Sequence, residues 1–386
     1  MEFAYSSPAR SSTELDTSAR TTATARQLRV AFFSDAEAER NGAGSYYSDL
    51  IAQLRHQVDQ VEIFQPTRKR RPFSGFSVPL PGDPTQRLLT PNVPALWRQM
   101  LRMRPDVVVA ITPGPFGLLG LALARRMGCG FFTAFHTEFE ALSSLYWNPI
   151  SRSIANGFLT GVNRLLCSNA DATLVHSSRL VDTVRRLGAE QVQIMGTPLP
   201  TRFIEEPVEP LRGPLRQLVF AGRLAPEKNI PTIIEAARAL PDLRFVIAGD
   251  GPLRRQLERE TRRLDNVEMV GWLDREALRQ LLDASDLLLL PSRLETFGSI
   301  ALEAMARGRP AIVAENAGIH SWHSLRDGLI PLHGHASLTE TIRRVQQQSP
   351  AARQDSAERA RDAAERLNNE TLAHWVSLLD QHAPAR

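Results

Sequence analysis

The stretch that most restricts the fold is residues 287–310, LLLLPSRLETFGSIALEAMARGRP. Its leucine run reads as a buried strand, bounded by Pro291. A loop carrying Glu295 follows, then a Phe297-Gly298-Ser299 turn, then a helix carrying Glu303. Two carboxylates thus sit eight positions apart, one before a helix start and one inside its second turn. A helix N-terminus presents unpaired N–H groups and a positive dipole end, which suit a phosphate. Glu303 lies four residues after Ser299 on the same helix face. Its side chain leans back toward the N-terminus, so it can reach a hydroxyl-bearing ring attached to a phosphate docked at Gly298. Glu295 can reach a second ring on the other side. That layout suits a sugar–diphosphate–nucleoside. A solvated helix glutamate is the plainer alternative for Glu303, but Ile300, Leu302, Ala304 and Met305 surround it with apolar groups, where an unpaired carboxylate is costly.

A second strand-to-helix corner repeats the pattern. Residues 217–223 (QLVFAGR) read as a strand, 224–229 (LAPEKN) as a loop, and 230–240 as a helix with Asn229 as N-cap and Pro231 in the first turn. Arg223 and Lys228 leave this corner, where α/β sheets bind ligands. Two cations there offset the charge of a departing diphosphate; surface ion pairing is the alternative. Residues 243–250 read as another strand, ending in Asp250-Gly251-Pro252, a Gly turn that lets backbone approach a ligand closely, though on its own it is a common loop. In the first half, a strand at 28–35 precedes Asn41-Gly42-Ala43-Gly44 and a helix from about Tyr46, and a strand within 131–139 ends at His136-Thr137. Further strands read at 107–111, 172–176, 191–195, 267–272, 286–290 and 310–314. Strands alternating with helical stretches predict parallel sheets with covering helices, and 386 residues suffice for two domains.

Taken in order, GRLAPEKN, VIAGDGPL, VGWLD and PSRLETFGSIALEAMA resemble the donor domain of retaining GT-B glycosyltransferases of family 4, with the two glutamates as the signature. The resemblance spans about residues 28–332. It implies an α/β GT-B fold, two Rossmann-like domains whose parallel sheets face a central cleft. It also implies metal-independent, retaining transfer of a hexose from a nucleoside diphosphate sugar, of the GDP-mannose or UDP-glucose type, to a hydroxyl acceptor. By the same resemblance, Arg223 and Lys228 hold the donor diphosphate and Glu295 contacts the donor sugar. Phe297, Gly298 and Ser299 give backbone contacts, and Glu303 takes the ribose. Trp272 lies in the base-pocket region, Gly249, Asp250 and Gly251 join the donor site, and the Gly42–Gly44 loop faces the donor phosphates. His136 sits beside the donor sugar, so the catalytic set is His136, Arg223, Lys228 and Glu295. TPGPFGLLGLALARRMG followed by FHTEF resembles members acting on lipid or lipid-linked acceptors. The chain departs from its relatives at residues 196–203, which lack an acid, and after Gly318 (IHSWHSLRDG), where residues 319–324 are assigned to donor or acceptor choice. A nucleotide-sugar epimerase or hydrolase on the same fold, or a non-catalytic sugar-nucleotide-binding subunit, are the competing readings.

No Asp-x-Asp triplet occurs, and Cys129 and Cys167 have no metal-ligand spacing, so no metal and no cofactor are expected. Net charge is +4, too modest to imply nucleic acid. The domains are placed at 28–205 (acceptor side) and 215–350 (nucleotide-sugar side), with a Pro-rich linker at 206–214. A helical tail at 351–386 is expected to cross back to the first domain, its apolar stripe Leu367, Leu372, Trp375, Val376 and Leu379. Residues 1–27, rich in Ser, Thr, Ala and Arg, read as a disordered extension without the apolar stretch of a secretory signal. The charge-free run 107–124 reads as strand, turn and buried helix, not as a membrane span. Arg68, Lys69, Arg70 and Arg71, beside Phe73 and Phe76, read either as a loop that docks on anionic lipid or as a solvated or acceptor-lining loop. The expected location is the cytoplasm, extending to peripheral attachment at the inner face of the cell membrane.

Overall fold

The structure, a computed structural model, describes residues 28–35, 42–66, 74–80, 83–136, 149–211, 213–334 and 336–383. The Arg68–Arg71 cluster and Thr137 lie outside them. Fourteen strands are described: β1 (Arg29–Phe33), β2 (Gln60–Phe64), β3 (Ser74–Leu80), β4 (Asp83–Pro91), β5 (Val107–Ala110), β6 (Gly130–Phe135), β7 (Ala172–Val175), β8 (Val192–Ile194), β9 (Gln217–Ala221), β10 (Arg244–Ala248), β11 (Val267–Gly271), β12 (Leu287–Leu290), β13 (Ala311–Ala314) and β14 (Leu329–Leu332). They make two six-stranded sheets, ordered β2-β1-β5-β6-β7-β8 and β11-β10-β9-β12-β13-β14, plus the β3-β4 ribbon. The strand pairings within both large sheets are parallel, for example Val30 opposite Val107 and Leu287 opposite Leu218. Two parallel-sheet α/β domains are the architecture the motifs implied.

Alternation along each strand explains the layering. In the first domain Val30, Phe32, Val107 and Val109 face one side, where they pack with Tyr46, Tyr47 and Leu50. Ala31, Phe33, Val108 and Ala110 face the other, against Leu96, Met100 and Phe116. Both faces are dry, so the strands read as continuous apolar runs. The second domain is built the same way around Val219, Phe220, Phe245, Ile247 and Leu287–Leu290.

The helix Pro350–His382 runs 33 residues, about 50 Å at 1.5 Å per residue. Its first half contributes Ala360, Ala363, Ala364 and Leu367 to the second domain's core, and its second half contributes Trp375, Leu378 and Leu379 to the first domain's. Trp375 is fully buried and donates its indole N–H to the Tyr46 hydroxyl at 3.0 Å. The helix therefore ties the two domains together.

Three local expectations are corrected. Asn229 is not an N-cap: at φ 53 it closes the 3₁₀ turn Pro226–Lys228, and the helix Pro231–Ala239 begins after Ile230. Asparagine tolerates this left-handed conformation better than other residues with a side chain beyond Cβ. The helix of the first glycine segment begins at Gly42, not near Tyr46, so those glycines form its first turn and not a free loop. The segment from Ser74 is a strand of the antiparallel β3-β4 ribbon, so Phe76 lies in regular structure and not in a loop.

Candidate active site

In both sheets the strand order reverses beside the first strand of the domain, at β1/β5 and at β9/β12. Ligands of such sheets bind outside the carboxyl ends of the strands at this reversal. The sequence-derived residues leave those ends. Arg223 and Lys228 follow β9, Gly249–Gly251 follow β10, Trp272 follows β11 and Glu295–Ser299 follow β12. On the facing domain Asp35 follows β1 and His136 follows β6.

The second domain's groups are charged and already paired. Lys228 Nζ lies 2.6 Å from Glu295 Oε2, and Ser292 Oγ donates to the same oxygen at 3.2 Å. The loops beneath them are clamped through backbone, Arg293 N–H donating to the Glu227 carbonyl at 2.7 Å. Gly298, at φ 106, is the left-handed residue from which the helix Ser299–Ala306 starts. Glu303 is only 7% exposed, and its Oε1 accepts from Arg275 Nη1 at 2.6 Å. Arg275 also binds Asp49 of the first domain through Nη2. Trp272 is 58% exposed, an uncommon setting for a large apolar ring and one open to a stacking partner. Phe297 is buried, and its carbonyl accepts from Ile319 N–H at 2.9 Å.

The Gly249–Gly251 turn has a role that spacing did not show. A Cβ at Gly249 would lie 1.8 Å from the Gly222 carbonyl oxygen, so the close approach demanded there is by the neighbouring loop's own backbone. Asp250 forms an ion pair with Arg254 at 3.6 Å.

The first domain's groups are rings. His136 Nε2 is 3.0 Å from the Tyr47 hydroxyl, and the His136 ring stacks on His176 with centroids 4.5 Å apart. His176 donates Nδ1–H to the Met195 carbonyl at 3.1 Å in the neutral tautomer consistent with that contact. Desolvation, then the proximity of His176, push the His136 imidazole well below its ordinary range, and desolvation takes His176 down to about 4. Both rings are neutral at pH 7. Desolvation also raises the Tyr46 and Tyr47 hydroxyls. Asp35 accepts from Phe116 N–H at 2.9 Å and from the Thr112 hydroxyl at 2.7 Å, yet desolvation lifts its carboxyl to about 6.

The two sides meet directly. Phe297 lies edge-on to His176 at 6.2 Å, and Trp322 donates its indole N–H to the His176 carbonyl at 3.0 Å. Trp322 belongs to the divergent segment after Gly318, which here reaches across the cleft. Tyr47, Asp49, His176 and Arg275 were not singled out from the sequence. Only His176 carried a signal, as a second histidine directly after a buried strand.

Among the described residues no cluster of three or more His, Cys, Asp or Glu side chains forms a metal site, and no helix is long and apolar enough to cross a membrane. Both cysteines are free thiols.

Comparison with known proteins matches both halves of the chain. Residues 40–202 match the Glycosyltransferase Family 4 profile and residues 202–363 the Glycosyl transferases group 1 profile. The sulfoquinovosyl transferase SQD2 of Arabidopsis thaliana is 24% identical over 75% of this chain and 60% of its own length. A GDP-mannose-dependent alpha-(1-6)-phosphatidylinositol dimannoside mannosyltransferase of Mycobacterium tuberculosis is 43% identical over 26% of this chain and 28% of its own. The matches thus span 60% or less of these relatives. Sucrose-phosphate synthase from Thermosynechococcus elongatus superposes with a TM-score of 0.67 at 17% identity, covering 92% of this chain and 98% of that one. This likeness establishes the two-domain fold.

Proposed function

From the premise that this chain belongs to the family 4, group 1 glycosyltransferases, we propose that it transfers a hexose from a nucleoside diphosphate sugar to a hydroxyl acceptor with retention. The observation that carries the reading is the Lys228–Glu295 ion pair at the carboxyl ends of β9 and β12, where the strand order reverses. In this reading Glu295 takes the sugar, Lys228 and Arg223 the diphosphate, Ser299 and its neighbours the phosphate oxygens, and Glu303 the ribose. Trp272 offers a stacking face to the base.

The chemistry follows from these placements. The anomeric carbon–phosphate oxygen bond breaks, and Lys228 and Arg223 stabilise the charge that grows on the leaving diphosphate. The acceptor oxygen bonds the anomeric carbon from the same face, and its proton passes to a phosphate oxygen of the leaving group. Positive charge develops on the sugar ring in between. A protonated histidine beside it would be repelled, so the lowered pKa of His136 keeps a neutral ring there.

The donor is of the GDP-mannose or UDP-glucose type, and the GDP-mannose dependence of the mycobacterial relative supports the first. The acceptor is a lipid or lipid-linked glycan, in keeping with that relative's phosphatidylinositol dimannoside. Docking on an anionic membrane through Arg68–Arg71 is the finer part of the reading, and those residues lie outside the described ones. Incubation with radiolabelled GDP-mannose or UDP-glucose and a membrane lipid extract tests the function. Labelled glycolipid of retained anomeric configuration is expected. Isomerised donor, free sugar alone, or no turnover overturns it.

A further inference from the structure

Arg275 stands where a helix gains nothing from it. It is the first residue of the helix Arg275–Asp283, behind the N-cap Asp274, and a cation at a helix N-terminus opposes the dipole. Its position is explained instead by what it grips. Nη1 holds Glu303 Oε1 at 2.6 Å, and Nη2 holds Asp49, which stands on the helix Gly42–Leu54 of the other domain. All three side chains are largely sequestered, at 27% exposure for Arg275, 14% for Asp49 and 10% for Glu303. The guanidinium is a rigid planar fork, so fixing one arm on Asp49 fixes the other.

We infer that Arg275, anchored by Asp49, is a positioning residue for donor recognition: it orients the Glu303 carboxylate toward the ribose hydroxyls, so that the nucleotide site of one domain is completed by a residue of the other. The inference rests on the reading that Glu303 takes the ribose. A carboxylate has about four lone-pair sites, so one arginine contact leaves capacity for a vicinal diol. Because Asp49 and Glu303 lie on different domains, ribose recognition is strongest when the domains are apposed as they are here.

The test compares GDP and UDP with their 2′,3′-dideoxy counterparts by calorimetry on the full chain. In the unaltered protein the ribonucleotides bind more tightly. Arg275→Ala and Asp49→Asn are each expected to weaken ribonucleotide binding about tenfold, as for loss of a hydrogen bond to a charged group, while leaving dideoxynucleotide binding nearly unchanged. Arg275→Lys should recover part of the difference. Asp49→Asn keeps the side chain's size and lies on the other domain, so it reports even if Arg275→Ala misfolds. A ribo/dideoxy gap that survives both Arg275→Ala and Asp49→Asn but closes in Glu303→Ala overturns the positioning role and leaves the ribose reading intact. A gap that survives Glu303→Ala overturns the ribose reading, and this inference with it.

Discussion

On the second domain's side of the cleft the groups at the strand ends are charged and prepaired, Lys228 with Glu295 and Glu303 with Arg275. On the first domain's side they are neutral rings, with Tyr47, His136 and His176 in mutual contact. Both sides grow from the same parallel-sheet scaffold, so the difference lies in the loops. Paired charges can exchange partners when a diphosphate or diol arrives. Desolvated neutral rings cannot answer a charge, but they exclude water and leave the reacting carbon without a competing cation. Under the proposed function, the contrast would give leaving-group stabilisation to one side and enclosure of the sugar and acceptor to the other.

The largest effect should come from the charged side. Lys228→Ala or Arg223→Ala is expected to lower kcat by about 10²–10³, the range for removing one preorganised donor at a developing anion, with a smaller rise in donor KM. Steady-state kinetics with the active donor checks this. A pure KM effect would reduce these cations to ground-state binders and erase the contrast.

The two sides also differ in how far the sequence announces them. Arg223 and Lys228 lie in one loop, and Glu295 and Glu303 flank one turn. Their spacing survives as a readable pattern because a single strand–loop–helix unit sets their geometry. The partners Arg275 and Asp49 come from other elements, and Asp49 from the other domain. The ring cluster draws on the Gly42–Leu54 helix and the ends of β6 and β7, with Trp375 of the last helix behind it. No local pattern links positions that meet only after both sheets and the crossing helix have assembled. The sheets themselves were legible, since doubly buried strands must be apolar throughout. Gly251 was readable as a close-approach glycine, but nothing in the sequence told a ligand from the backbone of Leu224 in the neighbouring loop, which is what a Cβ there would meet.

A second effect sharpens the neutral side. His176 has a folded pKa of about 4 against an ordinary 6.5, so between these values the unfolded chain binds more protons and stability rises with pH. The contribution is fully present above about pH 6.5 and is lost as pH falls toward 4, at most about 3 kcal/mol for this one group. His136 acts in the same direction. Thermal unfolding between pH 7 and 4 should show this loss, and His176→Phe should flatten it even though it removes the bond to the Met195 carbonyl. An unchanged slope in the variant would mean that the stacked pair already carries charge near neutrality.

The smallest effect concerns Asp35, a carboxylate at the end of β1 on the first domain's side. The Asp35 pKa is raised from 3.8 to about 6 because desolvation outweighs its bonds to Phe116 and Thr112. Here the folded state holds the proton more tightly, so stability falls as pH rises from about 4 to 6 and the deficit persists above that. Asp35→Asn keeps an acceptor for the Phe116 N–H and removes the charge. Allowing for partial exposure at the cleft, the gain at pH 7–8 should be about 1–2 kcal/mol, or roughly 2–6 °C in the unfolding midpoint of a domain of this size. Little gain is expected near pH 4, where the native carboxyl is already protonated. Scanning fluorimetry of both proteins at the two pH values separates the cases. An equal difference at both would show that Asp35 does not titrate between them. A destabilisation confined to neutral pH would show that its negative charge is wanted, and the end of β1 would then hold a working charge in addition to Asp49.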